Sequence, residues 1–207
     1  MKEALIRKAV KSDLPYLYEI CLKTGDSGND ASHLYTDPYL LGHYYVAPYV
    51  IYPGGIAYIV EHEYRPQCYI VAVPDTAAYR RWLEDEWLPP LRQQCPLPSA
   101  LEKLPTEKDR QILELIHKKH MPVEAELEER LKNYPAHLHI DLLPGIQRKG
   151  YGSKLMERLF SELSKQGIPG LHLGVGKKRP GAIAFYHSAG FTVLKETEQG
   201  LTLGKRV

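Results

Sequence analysis

Cysteine is scarce in this sequence, and long apolar runs are missing. The three cysteines, Cys21, Cys68 and Cys95, are far apart and lack metal-ligand spacing, so we expect free thiols rather than disulfides or a zinc site. No apolar run approaches the length of a membrane span, and no signal-peptide pattern follows Met1. The sequence therefore predicts a cytoplasmic protein without a membrane segment.

An excess of charge of one sign is also missing. Lys and Arg total 27 against 25 Asp and Glu, which leaves a net charge of +2 and no basic stripe. Nucleic acid is therefore not an expected partner. Phenylalanine is rare, with three residues, whereas tyrosine is abundant, with 15. Because a phenol has an apolar body and a polar tip, these tyrosines suit the wall of a wet pocket.

The length and the order of the predicted elements favour one domain over residues 1–207. The predicted strands are 5–10, 56–61, 67–73, 136–143, 171–175, 191–195 and 201–203. The predicted helices include 12–23, with Ser12 as its N-cap, 152–166 and 181–189. Residues 74–135, between the third and fourth strands, are predicted to form a helical insertion. Strand, helix and strand at the spacing seen after residue 136 make a βαβ unit, so the sheet is at least partly parallel.

A glycine-rich turn joins the fourth strand to the next helix. Its residues are Gln147, Arg148, Lys149, Gly150, Tyr151, Gly152 and Ser153. Alternate glycines leave backbone N–H groups uncovered, and the following helix N-terminus favours an anion such as a pyrophosphate. The alternative is a tight turn with two surface cations. The turn matches neither a P-loop nor a dinucleotide-binding fingerprint. The fingerprint needs a third glycine at the position that Leu155 occupies.

The pattern Gln147-x-x-Gly150-x-Gly152, after a strand that ends in Pro144, resembles the acyl-CoA signature of the GNAT superfamily of N-acetyltransferases. The run from Ala182 to Tyr186, followed by Gly190-Phe191, is similar to the closing helix and strand of that superfamily. The resemblance covers residues 136–195, an acyl-CoA-binding core. It implies an α/β fold whose mixed, mostly antiparallel sheet has one parallel pair splayed to admit CoA.

The resemblance also implies how acetyl-CoA, the expected co-substrate, is bound. The loop holds the pyrophosphate, the strand before it pairs with the pantetheine arm, and Tyr186 faces the thioester sulfur as the acid. One departure is Arg179, which stands where many members carry Asn; we expect it to reach CoA phosphates, unless it is a solvated loop residue. The implied cofactor-binding residues are Leu142, Leu143, Gln147, Arg148, Lys149, Gly150, Tyr151, Gly152, Ser153, Arg179 and Ala182.

A narrower resemblance concerns the first half of the chain. Thr24-Gly25-Asp26, Asp37-Pro38-Tyr39, Pro48-Tyr49, and Asp75-Thr76 leading to Trp87-Leu88-Pro89 resemble the acetyltransferase-like domain of animal O-GlcNAcases and its free-standing bacterial relatives. That animal domain is regarded as a pseudo-acetyltransferase. A catalytically inactive acetyl-CoA-binding or interaction module is therefore the alternative to an enzyme.

The fourth strand supplies candidate bases. Its alternation places His137, His139 and Asp141 on one side, so His139 and Asp141 are candidates, unless this is a partly solvated polar face. The resemblance places the thioester against Asp141 and Leu142, where a backbone N–H suits the oxyanion. Alternate histidines also suggest a metal hydrolase, but no cysteine or carboxylate cluster completes a ligand set, and we predict no metal.

The acceptor site is predicted in the long segment 24–55. Asp26, Asp30, Tyr45 and Tyr49 are the candidates, since carboxylates and phenols together suit a cationic amine. For each residue, a capping aspartate or a packed tyrosine is the alternative. The prediction is an N-acetyltransferase that moves an acetyl group from acetyl-CoA to a primary amine of a small molecule or lysine. The amine is expected to attack the thioester directly in a ternary complex. A homodimer is a possible assembly of the chain.

Overall fold

A seven-stranded mixed sheet is the centre of the molecule in a computed structural model that describes residues 4–118 and 124–207. The strands are β1 (Leu5–Lys8), β2 (Ile56–His62), β3 (Arg65–Val73), β4 (Ala136–Leu142), β5 (Gly170–Gly176), β6 (Thr192–Glu196) and β7 (Gly200–Arg206). Their order across the sheet is β1-β2-β3-β4-β5-β7-β6.

Helices cover both faces of this sheet. The helices are α1 (Leu14–Thr24), α2 (Leu40–Tyr45), α3 (Ala47–Ile51), α4 (Thr76–Trp82), α5 (Leu88–Gln94), α6 (Ser99–Lys103), α7 (Glu107–His117), α8 (Ala125–Leu131), α9 (Tyr151–Lys165) and α10 (Pro180–Ser188). A π-helical turn, Leu83–Trp87, joins α4 to α5. Helices α4 to α8 form the predicted insertion between β3 and β4, of which residues 119–123 lie outside the described part.

Strands β4 and β5 form the parallel pair, whereas the other neighbouring strands are antiparallel. The pairing covers only Ala136 with Leu171 and His137 with His172. Beyond these residues the two strands separate, which opens a cleft in the sheet. The predicted fold class, a mostly antiparallel mixed sheet with one splayed parallel pair, is confirmed.

Side-chain alternation along β4 divides the interior into two apolar clusters. Leu138 packs with Leu155, Leu159 and other residues of α9 on one face. On the opposite face, His137 contacts Tyr49, a member of the cluster that includes residues of helices α1 to α7. The polar row of β4 thus faces the helices of the first half of the chain.

Local capping explains where two helices begin. Ser12 was predicted to cap the first helix, but this is wrong: a 3-10 turn, Lys11–Asp13, comes first and the helix begins at Leu14. The Asp13 carboxylate is engaged by the Arg7 guanidinium at 2.8 Å and by the Val10 N–H. At α4, Asp75 accepts hydrogen bonds from two backbone N–H groups of the first turn, as expected for an N-cap.

Candidate active site

The glycine-rich turn has the backbone geometry of an anion cradle. Gly150 is the N-cap of α9 with φ +80°, and Arg148 also lies in the left-handed region with φ +59°. A side chain at Gly150 would meet no atom within 4 Å, so the space above it is open. The first turn of α9 contains no acidic residue, and Arg148, Lys149 and Ser153 are exposed. Uncovered N–H groups, a helix dipole and two cations therefore converge on one open space.

Gly152 permits close contact between α9 and α10. A Cβ at this position would lie 3.3 Å from the Phe185 ring and 3.8 Å from a Leu142 methyl group. Tyr151, Phe185 and Ala182 pack against the same apolar cluster. Gly152 therefore serves helix packing, whereas the space at Gly150 remains available to a ligand.

The register of β4 determines which backbone groups face the cleft. The Leu143 N–H donates to Gln67 O at 3.0 Å, and Cys68 is opposite Leu142. In an antiparallel pair such bonds occur at alternate residues, so Asp141 and Leu143 point their amides towards β3. Leu142 and Ile140 point theirs towards β5, into the cleft. Of the two backbone N–H groups expected near the oxyanion, only that of Leu142 faces the cleft, whereas that of Asp141 faces β3. The Leu143 N–H is already donated to Gln67 O.

Gln147 fixes the start of the loop against this strand. Its Nε2 donates to the Leu142 carbonyl at 2.8 Å, in an exposed setting. A side chain expected to bind CoA therefore also holds the loop against the end of β4.

Tyr186 lies in the apolar cluster beneath the cleft. It is 9% exposed, and its ring is 5.5 Å from Phe185 and 5.7 Å from Phe191. Its hydroxyl has no hydrogen-bond partner within residues 4–118 and 124–207. Burial raises its pKa to about 12, with a further contribution from Asp141. The phenol thus stays protonated at neutral pH and has a proton available to donate.

Arg179 stands at the N-cap of α10, close to the loop after α1. A Cβ at Gly28 would lie 3.7 Å from its Nη2, and the guanidinium also lowers the pKa of the Asp141 carboxyl. The structure gives Arg179 no ion pair or side-chain hydrogen bond among the described residues. Its charge therefore lies beside the cleft and is available to a ligand.

Asp141 is held in place by Tyr69. The Tyr69 hydroxyl donates to Asp141 Oδ2 at 2.6 Å. Burial raises the pKa of Asp141, and the Tyr69 hydrogen bond opposes this shift. The carboxyl is thus a stronger base than an exposed aspartate but already has a donor.

His137 is committed to structural hydrogen bonds. The Thr76 hydroxyl donates to Pro135 O at 2.6 Å, so at 2.8 Å it must accept from His137 Nδ1–H. His137 Nε2 then accepts from the Tyr49 hydroxyl at 2.7 Å. Burial lowers the pKa of His137 well below its usual value. Both ring nitrogens are occupied, which makes His137 unsuitable as a base.

His139 is the histidine of β4 with free ring nitrogens. Neither nitrogen has a hydrogen-bond partner in the described part of the chain, and the ring contacts are edge-on to Tyr45 and Tyr49 at 5.5 and 5.3 Å. Burial lowers its pKa to about 4. The imidazole is therefore neutral at pH 7 and has a lone pair available for a proton.

A cavity of about 250 Å³ opens beside His139 at the base of the cleft. It is lined by Tyr44, Tyr45, Tyr49, Thr76, Tyr79, Arg80, Leu83, His137, Leu138, His139, His172, Leu173 and Gly174. Tyr45 and Tyr49, predicted for the acceptor site, thus lie beside the candidate base. Asp26 and Asp30 lie outside the lining: Asp26 pairs with Asn29 in a turn, and the exposed Asp30 accepts from the Ser32 N–H.

Sequence reasoning missed Tyr79, Arg80 and His172. Tyr79 and Arg80 belong to α4, in the insertion, where no motif marks them. His172 lies opposite His137 in the parallel pair and donates Nδ1–H to Tyr134 O at 2.7 Å. Only the register of β4 and β5 would have indicated its position.

Two kinds of feature are absent from the described residues. Within 4–118 and 124–207, His, Cys, Asp and Glu form no group of three or more that is arranged to bind a metal ion. In the same part of the chain, no helix combines the length and the apolar character needed to cross a membrane.

Comparisons with known proteins agree with this geometry. Residues 121–191 match the model of the acetyltransferase (GNAT) family. The [ribosomal protein bS18]-alanine N-acetyltransferase of Escherichia coli K12 is 46% identical over 48 residues, which cover 23% of this chain and 32% of the relative. The chain thus spans about 32% of the length of the curated relatives that it matches.

Solved structures extend the similarity over the whole chain. The protein SsHAT aligns over 99% of this chain and 98% of its own, with a TM-score of 0.84 and 28% identity. The PaiA N-acetyltransferase of Thermoplasma acidophilum, solved in complex with coenzyme A, aligns over 100% of both chains with a TM-score of 0.56 and 15% identity, which shows the fold alone. The O-GlcNAcase-like resemblance is not confirmed. The acetyltransferase (GNAT) family model thus covers about a third of the chain, residues 121–191, and SsHAT and the PaiA N-acetyltransferase share the fold of the whole chain.

Proposed function

We propose that this protein transfers the acetyl group of acetyl-CoA to a primary amine of a small molecule or lysine in a ternary complex. The observation that carries the proposal is the opening between β4 and β5, with the Gly150 cradle at one end and His139 at the other. The alternate amides of β4 face that opening, so an extended ligand has backbone partners along it.

The residues present fit acetyl-CoA. The N–H groups at the start of α9, with Arg148 and Lys149, suit the pyrophosphate. The free edge of β4 suits the amides of the pantetheine arm, and Arg179, which has no ion pair within residues 4–118 and 124–207, supplies a further cation. When bound, acetyl-CoA supplies an activated acetyl group as a thioester.

The catalytic roles follow from the proton state of each side chain. His139, neutral and without a hydrogen-bond partner among the described residues, accepts the proton of the attacking amine. The Leu142 N–H, directed into the cleft, donates to the acetyl oxygen. Tyr186 donates its phenolic proton to the departing sulfur. Asp141 is the second candidate base, but its carboxylate already accepts from Tyr69.

Calorimetric titration with acetyl-CoA tests the binding half of the proposal. We expect micromolar binding by the wild type and a loss of roughly 10-fold or more in Gly150→Glu, because the new carboxylate repels the pyrophosphate. Gly167→Glu is the matched control: Gly167 has φ +69° at the other end of α9, and its Cβ would also meet nothing within 4 Å. Equal binding by Gly150→Glu and Gly167→Glu would contradict the cradle.

Release of free thiol in an amine screen tests the catalytic half. Turnover with at least one amine is expected. A non-catalytic acetyl-CoA-binding module is the second candidate, favoured by the burial of the Tyr186 ring among apolar side chains. Tight acetyl-CoA binding with no thiol release across the screen would select the module.

A further inference from the structure

Two hydrogen-bond donors that line the cavity beside His139 make no hydrogen bond of normal geometry to an acceptor among the described residues. Arg80 lines it in a partly buried position and makes no ion pair or side-chain hydrogen bond among the described residues. The Tyr79 hydroxyl is buried and makes no hydrogen bond of normal geometry in the same part of the chain, although the Tyr49 hydroxyl lies close enough to contribute to its raised pKa. Among the lining residues that the structure describes, none is Asp or Glu. A buried donor that lacks a partner is costly, and a partly buried guanidinium without a counter-ion is available to an anion, so these two groups are consistent with an anionic ligand group in the cavity.

The charge of Arg80 is directed into the cavity rather than neutralised on its own helix. Glu84, four residues later, pairs with Arg92 at 2.9 Å. The Arg80 charge lowers the pKa values of His137 and His172, which both line the cavity. The next residue, Arg81, is exposed instead.

The other end of the cavity offers an acceptor. His139 is neutral, and its ring nitrogens are free in the described part of the chain. The Tyr49 ring lies between the two ends, 4.7 Å from the Tyr79 ring and 5.3 Å from the His139 ring. One small molecule with a proton-donating group and an anionic group therefore fits both ends.

We propose that the acceptor is a small primary amine that carries a carboxylate, with the amine at His139 and the carboxylate at Arg80 and the Tyr79 hydroxyl. This inference rests on the proposed acetyl transfer and specifies its acceptor class. It departs from the cationic amine predicted from Asp26 and Asp30, which lie outside the cavity. A guanidinium that binds a carboxylate gives stronger and more directional recognition than a neutral donor does.

The test compares amines that differ only at the anionic end. The probes are 4-aminobutyrate, its carboxamide 4-aminobutanamide, and butane-1,4-diamine, with L-phenylalanine and phenethylamine as a bulkier pair. Binding of each is measured by calorimetry with the wild type, Arg80→Gln, Arg80→Lys and Tyr79→Phe. Arg81→Gln is the matched control, since it removes the same charge from the exposed neighbour on α4. Acetyl transfer is measured separately by thiol release.

We expect a carboxylate-bearing amine to bind the wild type and Arg81→Gln about 10- to 100-fold more tightly than its carboxamide or diamine counterpart. Arg80→Gln removes this preference, Arg80→Lys keeps part of it, and Tyr79→Phe weakens it. Equal or tighter binding of the diamine, an unchanged preference in Arg80→Gln, or no binding of either carboxylate overturns the inference. Loss of acetyl-CoA binding instead counts against the proposed function, because the calorimetric preference does not require acetyl transfer.

Discussion

The proposed role of Tyr186 as the acid can be tested by removing only its hydroxyl group. Tyr186→Phe removes the phenolic proton and keeps the buried ring, so we expect kcat to fall by roughly 10²–10⁴ with acetyl-CoA affinity unchanged. Steady-state kinetics and calorimetry measure the two effects. Tyr58→Phe is the control, since Tyr58 is also buried but donates to Glu162 outside the cleft. A Tyr186→Phe variant with the kcat of Tyr58→Phe would exclude the tyrosine as the acid.

Sequence alone distinguishes the two β4 histidines poorly. His137 and His139 alternate on one strand and present the same pattern, yet within the described residues His137 has hydrogen-bond partners at both ring nitrogens and His139 at neither. The difference comes from Thr76 and Tyr49, which lie 61 and 88 residues from His137 along the chain. Partners so distant leave no local signal, whereas the Gly150 turn is predictable because its features are consecutive.

At the scale of elements, α7 is tied to the segment before α2 through one buried carboxylate. Asp109 is 0% exposed and accepts from the Thr36 N–H at 3.1 Å, while Thr106 caps α7 and donates to Leu34 O. The insertion therefore braces the segment that leads to the tyrosines of the cavity.

Asp109→Ala tests this connection. It removes the buried carboxylate that accepts from the Thr36 N–H, so we expect the free energy of unfolding to fall by about 1.5–3 kcal/mol. Urea denaturation measures the loss. Glu107→Ala, in the same first turn but exposed, is the control and should change stability little. An equal decrease in the free energy of unfolding in the two variants would show that the hydrogen bond between Asp109 and the Thr36 N–H does not contribute to stability.

The elements themselves were largely predictable from sequence. The strands and the last two helices occur within one to three residues of their predicted bounds, because apolar alternation and turn residues are local signals. The segment 24–55 gave no periodicity, yet it contains α2 and α3. These helices are six and five residues long, too short for a repeating pattern, and tertiary packing stabilises them.

For the whole molecule, stability depends on pH through its buried histidines. Burial lowers the pKa values of His43, His137, His139 and His172, to about 4 for His139, whereas in the unfolded chain they titrate near 6.5. Below pH 6.5 the unfolded state binds more protons. The free energy of unfolding therefore falls as pH decreases from 6.5 towards 4, by up to about 1.4 kcal/mol per pH unit for each histidine.

Denaturant unfolding at pH 7, 6 and 5 measures this dependence. Asp141, whose pKa is raised, has the opposite effect on the pH dependence of stability, but it is a single group and the histidines with lowered pKa values are four. His139→Gln should reduce the slope by the contribution of one proton. Stability that stays level or rises between pH 7 and 5 would contradict the assignment of neutral, buried histidines.

The two-residue pairing of β4 with β5 has a mechanical consequence. Strands β1 to β4 form one continuous antiparallel ladder, and β5 to β7 form another. Each half resists bending through its own backbone bonds, while the seam between them has almost none. The width of the cleft can therefore change without loss of hydrogen bonds within either half of the sheet, and the junction of β4 and β5 is the place where the sheet bends most easily.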